Sequence, residues 1–184
     1  SPEAHIELQA QCKQVGLQFI SSAFDQESVD LLAELGVPAF KIPSGEVNNL
    51  PFLEHVAHKG RPVILSTGMS YLDEVEQALQ VMGAARCQQV VVLHCVSNYP
   101  ADSNDVNLRA METIRTALDV PVGYSDHTLG IHVPVAAGAL GACVIEKHFT
   151  LDRTLPGPDH PASLEPDEFV EMVKGIRAVE IALG

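Results

Sequence analysis

Short runs of β-forming residues alternate with longer stretches of helical period from one end of the chain to the other, and no Pro/Gly/Ser-rich linker interrupts them. That alternation constrains the fold more than any other feature, because parallel strands need crossovers and a helix is the usual one. The pattern predicts an opening helix over 5–15, ended by Gly16, then strands over 18–23, 39–42, 63–66, 90–95, 122–125 and 143–148. Between the strands, apolar residues recur at three-to-four spacing, as in Val29, Leu32 and Leu35, or Leu72, Val75, Leu79 and Met82. This is the period of a helix with one buried face. Gly36, Gly60, Gly83 and Gly141 stand where left-handed caps are wanted, and Pro38, Pro62 and Pro121 enter strands where a missing N–H costs little. A last helix over 165–183 is expected to take Ser163 as its cap, with Pro166 in the first turn.

An open doubly wound sheet and a closed barrel both fit such a pattern, and the polar residues separate them. Nearly every predicted strand ends in reactive side chains: Ser21 and Ser22; Lys41, then Ser44 and Glu46; Ser66 and Thr67; Ser97, Asn98 and Tyr99; Ser125, Asp126 and His127; Glu146, Lys147 and His148. Six strands spaced about 4.8 Å apart in an open sheet would spread these ends over more than about 20 Å. A barrel points them at one mouth. The first strand–helix turn, 23–26, also lacks the Gly-rich dinucleotide fingerprint. The expected fold is therefore a (β/α)8 TIM barrel. Such a barrel takes about 250 residues, so the chain reads as a partial barrel of about six parallel strands, preceded by an orphan helix.

Length and charge narrow the function. With 184 residues, 46% of them hydrophobic, the chain suits one domain with one core, and 1–184 is read as a single partial-barrel domain. Lys plus Arg number 11 against 24 Asp plus Glu, a formal charge of −13. Such a surface repels nucleic acid and anionic membrane, so an anionic ligand has to be held by a local group of cations, backbone N–H groups or a metal. The cysteines Cys12, Cys87, Cys95 and Cys143 have no CxxC spacing and read as buried free thiols in a reducing cytoplasm. The N-terminus carries no signal-like segment and no apolar run is long enough to span a bilayer, so the expected location is cytoplasmic.

Four stretches carry chemistry. In 40–46, Lys41 offers a cation, Ser44 a hydroxyl and Gly45 an N–H to a carboxylate or phosphate; a rim pair between Lys41 and Glu46 fits equally well. In 64–70, Ser66 and Thr67 close an apolar strand just before a helix, where free N–H groups suit a phosphoryl oxygen, and Ser70 reads as the helix cap. His127 and His148 end consecutive strands. As a pair they suit a divalent transition metal such as manganese or zinc, used as a Lewis acid, although either alone reads as a structural histidine. The turn-rich loop 151–160 presents Asp159, which suits polyol hydroxyls or, equally, a solvated turn. His5, His55 and His58 read as surface residues.

Together, Phe40-Lys41-Ile42-Pro43-Ser44-Gly45-Glu46, Ser66-Thr67-Gly68-Met69, Gly123-Tyr124-Ser125-Asp126-His127-Thr128, Glu146-Lys147-His148 and Gly157-Pro158-Asp159-His160 resemble the sialic acid synthase family, in order and across the whole chain. That family condenses phosphoenolpyruvate with an open-chain N-acetylmannosamine-type amino sugar, releasing phosphate and giving N-acetylneuraminate or related nonulosonates such as legionaminate. The resemblance implies a barrel, a C-terminal antifreeze-like domain, a domain-swapped dimer and manganese or another divalent ion. It implies that His127 and His148 hold the metal and that Lys41, Ser44, Ser66 and Ser125 hold phosphoenolpyruvate. It further implies that Tyr99 and Ser97 lie near the substrates, Asp159 binds sugar hydroxyls and Glu46 acts in acid–base chemistry. Many members carry Asn where this chain has Ser97.

The family's acidic residue and second phosphoenolpyruvate-binding Lys from its first two strands, and an Arg from its C-terminal domain, have no counterpart here. The chain is therefore expected to be a fragment with little activity alone. Unpaired edges at 18–23 and 143–148 point to a homo-oligomer. Two rivals remain: another metal-dependent phosphoenolpyruvate-condensing synthase of the 3-deoxy-heptulosonate phosphate type, which needs more cations, and a non-catalytic remnant that binds a metal or metabolite.

Overall fold

The computed structural model describes all of residues 1–184, and they form two compact units, Ser1–Val91 and Val92–Gly184. The first unit holds helix α1 (Pro2–Gln14), α2 (Gln26–Leu35), strand β1 (Phe40–Ile42), α3 (Leu50–Ala57), β2 (Val63–Ser66) and α4 (Leu72–Ala84). Strand β3 (Val90–Cys95) straddles the division. The second unit continues with α5 (Ala110–Leu118), β4 (Val122–Asp126), α6 (His132–Ala139), β5 (Ile145–Lys147) and α7 (Pro166–Leu183). No helix is long and apolar enough to cross a membrane.

In the first unit β1 and β2 pair in parallel, with Phe40 opposite Val63 and Lys41 opposite Ile64. Phe40, Ile42, Val63 and Leu65 are buried there with Val29 and Leu32 of α2, Leu53 and Val56 of α3, and Ala78 and Met82 of α4. Local signals set the helix ends: Asp25 accepts the Ser28 N–H at 2.7 Å to cap α2, and Gly36 closes it in the left-handed conformation. α1 buries no side chain.

In the second unit β3 pairs in parallel with β4, and β4 with β5. Tyr124, Leu93, Met111 and Leu164 are among its most buried side chains. α6 packs on α7 across two glycines: a Cβ on Gly138 would lie 3.6 Å from Ile176, and one on Gly175 3.0 Å from Val135. Gly123, on β4, is tighter still. A Cβ there would lie 2.5 Å from the Val144 carbonyl oxygen and 2.6 Å from Leu93 Cδ2.

The structure corrects the sequence reading at several points. Five strands form, not six: residues 18–23 make a single bridge, Ser22 to Lys41, and no named strand. A strand needs a ladder of partner hydrogen bonds, and this segment makes one rung while Leu17 and Ile20 remain exposed. Tyr71 rather than Ser70 caps α4, its N–H donating to Glu74 at 2.7 Å. Glu165 rather than Ser163 caps α7, its N–H donating to Glu168, while the Ser163 hydroxyl donates to the Asp159 carbonyl. Gly83 lies inside α4, and the left-handed residue beyond it is Arg86. All four cysteines are free, but only Cys87 and Cys95 are buried; Cys143 is exposed.

Candidate functional site

The register of β4 and β5 sets Tyr124 opposite Ile145, Ser125 opposite Glu146 and Asp126 opposite Lys147. Side chains alternate across a strand, so Ser125 and Glu146 share one face and Asp126 and Lys147 the other. On the first face the Ser125 hydroxyl donates to Glu146 Oε1 at 2.7 Å. Just beyond the strand ends, the rings of His127 and His148 lie 5.2 Å apart, centroid to centroid. Tyr99, in the exposed loop after β3 that also carries Ser97, places its ring 4.2 Å from His127 and 5.6 Å from His148. Asp159 Oδ2 stands 4.0 Å from His148 Nδ1. The second unit thus gathers His127, His148, Tyr99 and Asp159, with Ser125 and Glu146 at the adjoining strand ends.

His127 is held in one tautomer. Its Nδ1 lies 2.8 Å from the Val96 carbonyl oxygen, which only accepts, so Nδ1 carries the proton and Nε2 keeps its lone pair. Burial, the largest influence, pushes the imidazole pKa below its ordinary value, against the pull of the Val96 carbonyl. Burial also raises the Tyr99 phenol, and the Asp159 and Glu146 carboxylates add to that shift.

Two imidazole nitrogens at about 2.0–2.1 Å from one ion would set their ring centroids about 4.5–5.3 Å apart, for a right-angled to tetrahedral arrangement. The observed 5.2 Å falls within that range. The chain forms no ligating group of three or more His, Cys, Asp or Glu. A two-imidazole donor set leaves the remaining positions to oxygen ligands, and the residues fit a divalent ion that keeps such ligands.

The first unit gathers a separate group. Lys41 Nζ donates to Ser66 Oγ at 2.8 Å and to the Ile42 carbonyl at 3.2 Å. Ser66 and Thr67 are both buried at the end of β2. Ser44 and Glu46 lie in the 3-10 turn Ser44–Glu46 after β1, where Glu46 Oε2 accepts from Asn49 Nδ2 at 2.7 Å. The Lys41 ammonium and the Ser66 hydroxyl are therefore adjacent at the ends of β1 and β2.

In the sequence, 125–127 and 146–148 each read as a block of polar groups at a strand end. The structure divides them: Asp126 and Lys147 are buried on the face away from Ser125 and Glu146, and bond each other at 2.6 Å. Tyr124 and Thr128 complete this inward group as partners of Asp126. Period-two alternation through 124, 126 and 128 was the signal available.

A profile of the NeuB family matches residues 1–184. The chain belongs to the NeuB family. Among its NeuB relatives, the N,N'-diacetyllegionaminic acid synthase of Campylobacter jejuni subsp. jejuni serotype O:2 is 53% identical over 184 residues, covering 99% of this chain and 55% of that protein. The N-acetylneuraminate-9-phosphate synthase of Homo sapiens is 45% identical over 185 residues, covering all of this chain and 51% of its own length. In three dimensions the chain resembles the N-acetylneuraminic acid synthetase of Leptospira borgpetersenii crystallised with citrate. That match has a TM-score of 0.96 at 36% identity, covering 100% of this chain and 64% of the other. This NeuB chain spans about half the length of the curated relatives it matches.

Proposed function

We propose that this chain is the part of a nonulosonate synthase that carries the metal pair. In this reading it contributes to condensing phosphoenolpyruvate with an open-chain N-acylated amino sugar, and belongs to a (β/α)8 barrel. The observation that carries the reading is the pair of imidazoles 5.2 Å apart, one of them fixed with its lone pair on Nε2. The names of its relatives, synthases of legionaminic and neuraminic acids, supply the reaction class.

In the first unit, Lys41, Ser44 and Ser66 offer an ammonium and hydroxyls to the carboxylate and phosphate of phosphoenolpyruvate. Glu46 serves as the acid–base group for the water that adds to the oxocarbenium-like carbon before phosphate leaves. In the second unit, Ser125 adds a hydroxyl for phosphoenolpyruvate, Asp159 accepts from sugar hydroxyls, and Ser97 and Tyr99 flank the substrates. His127 and His148 would hold the divalent ion, with manganese the first choice, and such an ion when bound polarises the sugar aldehyde oxygen. His127 keeps its Nδ1 proton on Val96 and so holds its ring direction through turnover. Three of the four arginines of this unit are committed elsewhere: Arg115 to Glu112 and the Leu140 and Gly141 carbonyls, Arg153 to Glu168, Arg177 to Glu180. That favours a neutral sugar over a sugar phosphate.

Calorimetric titration with Mn2+ tests the reading. The chain is expected to bind the ion and His127→Ala to lose at least a factor of about 100 in affinity. Equal binding by both would leave the histidines a structural role only.

A further inference from the structure

Immediately before each of the two site imidazoles lies a buried charge, and the two charges meet. Lys147 Nζ donates to Asp126 Oδ2 at 2.6 Å, with side-chain exposures of 1% and 0%. Asp126 Oδ1 accepts the Tyr124 hydroxyl at 3.0 Å, the Thr128 N–H at 3.1 Å and the Thr128 hydroxyl at 2.9 Å. Lys147 Nζ also donates to the Thr128 carbonyl. The cluster therefore grips the backbone on both sides of His127, through Asp126 and through both polar groups of the Thr128 main chain. It ties that grip to the residue before His148.

A buried ion pair is weak grounds for extra stability, since desolvation offsets most of the attraction; its best attested use is to fix register. Register matters here because a slip of one residue turns every side chain of a strand to the opposite face. We infer that Asp126 and Lys147 are positioning residues, which hold His127 and His148 at the separation and orientation needed to share an ion. The inference rests on the metal reading above. It assigns a purpose to a pair of charges that neither touches substrate nor lies on the site face.

The experiment compares four proteins by calorimetric titration with Mn2+ alone, by the visible spectrum of bound Co2+ and by thermal unfolding: the parent chain, His127→Ala, Lys147→Met, and the double variant Asp126→Asn/Lys147→Met. Lys147→Met strands a buried carboxylate and is expected to unfold readily. The double variant removes both charges yet keeps an acceptor for Tyr124 and Thr128, so it is expected to melt within a few degrees of the parent. Its Mn2+ affinity is expected to fall tenfold or more, with a changed Co2+ spectrum. An affinity within threefold of the parent, with an unchanged spectrum, overturns the positioning role while leaving the metal reading intact, provided His127→Ala has lost the ion. Failure of the parent chain to bind Mn2+, or full binding by His127→Ala, overturns the metal reading and this inference with it.

Discussion

His94, on β3, is held much as His127 is, by a backbone carbonyl and beside a tyrosine ring. Its Nε2 donates to the Val106 carbonyl at 2.7 Å, and its ring lies 5.8 Å from that of Tyr124. Burial is the dominant influence and drives its pKa below the ordinary value, with the Val106 carbonyl opposing. In the unfolded chain the same group takes up a proton near its ordinary value of roughly 6.5. Between that value and the lower folded one, the unfolded state binds more protons, so stability rises with pH and is lost as pH falls. Urea unfolding at pH 7.5 and 5.5 should show the parent losing more stability over that interval than His94→Gln, which keeps a donor for Val106 but cannot ionise. Equal losses would remove His94 from the acid sensitivity. At this scale the sequence exposes His127 and His148, because each closes a β run. It hides the division of labour beside them, because three successive polar residues at a strand end do not reveal which of them turn inward.

Helix and strand periods are legible in α4 and β2, where Val75, Ala78 and Met82 are buried at three-to-four spacing and Val63 and Leu65 at alternate positions, although Leu72 of the expected α4 stripe is exposed. They fail at 18–23, where a β-forming run finds only one rung of ladder. They fail too at the end of α4, where the left-handed residue is not the available glycine. Arg86 holds φ of 69°, its N–H donating to the Gly83 carbonyl, and the Cys87 N–H reaches back to Met82 at 3.0 Å. A non-glycine residue in that conformation costs about 1–2 kcal/mol, whereas glycine costs about 0.5–1 kcal/mol in extra chain entropy. Relief outweighs entropy, so Arg86→Gly is expected to stabilise the chain by about 0.5 kcal/mol, read as a higher urea midpoint at unchanged slope. A lower midpoint would mean that the Arg86 side chain makes a contribution larger than its backbone strain.

Across the molecule, two opposed influences govern self-association. A formal charge of −13 keeps copies apart at low salt. Against it stand the last strand of the second unit and, in the first, the exposed Leu17 and Ile20 around the 18–23 segment. Beside β5 lies a groove of about 220 Å3 where Ile145, Phe169, Met172 and Ile176 line the wall together with the charged Arg177 and Glu180. Unpaired edges favour pairing, so light scattering is expected to give a dimer or larger species, its fraction growing as ionic strength rises and screens the repulsion. A constant mass near 19.8 kDa from low to high salt would show that these edges stay single.

Gly123 bears on the spacing of His127 and His148 from a distance. With the Val144 carbonyl only 2.5 Å from where a β-carbon would stand, and the Tyr124 N–H donating to that same oxygen at 2.8 Å, even one methyl would wedge the approach to β5 away from β4. The gap between the two imidazoles is therefore gauged partly by a missing side chain four residues upstream of His127, and a designer who wished to widen that gap would begin there rather than at the histidines.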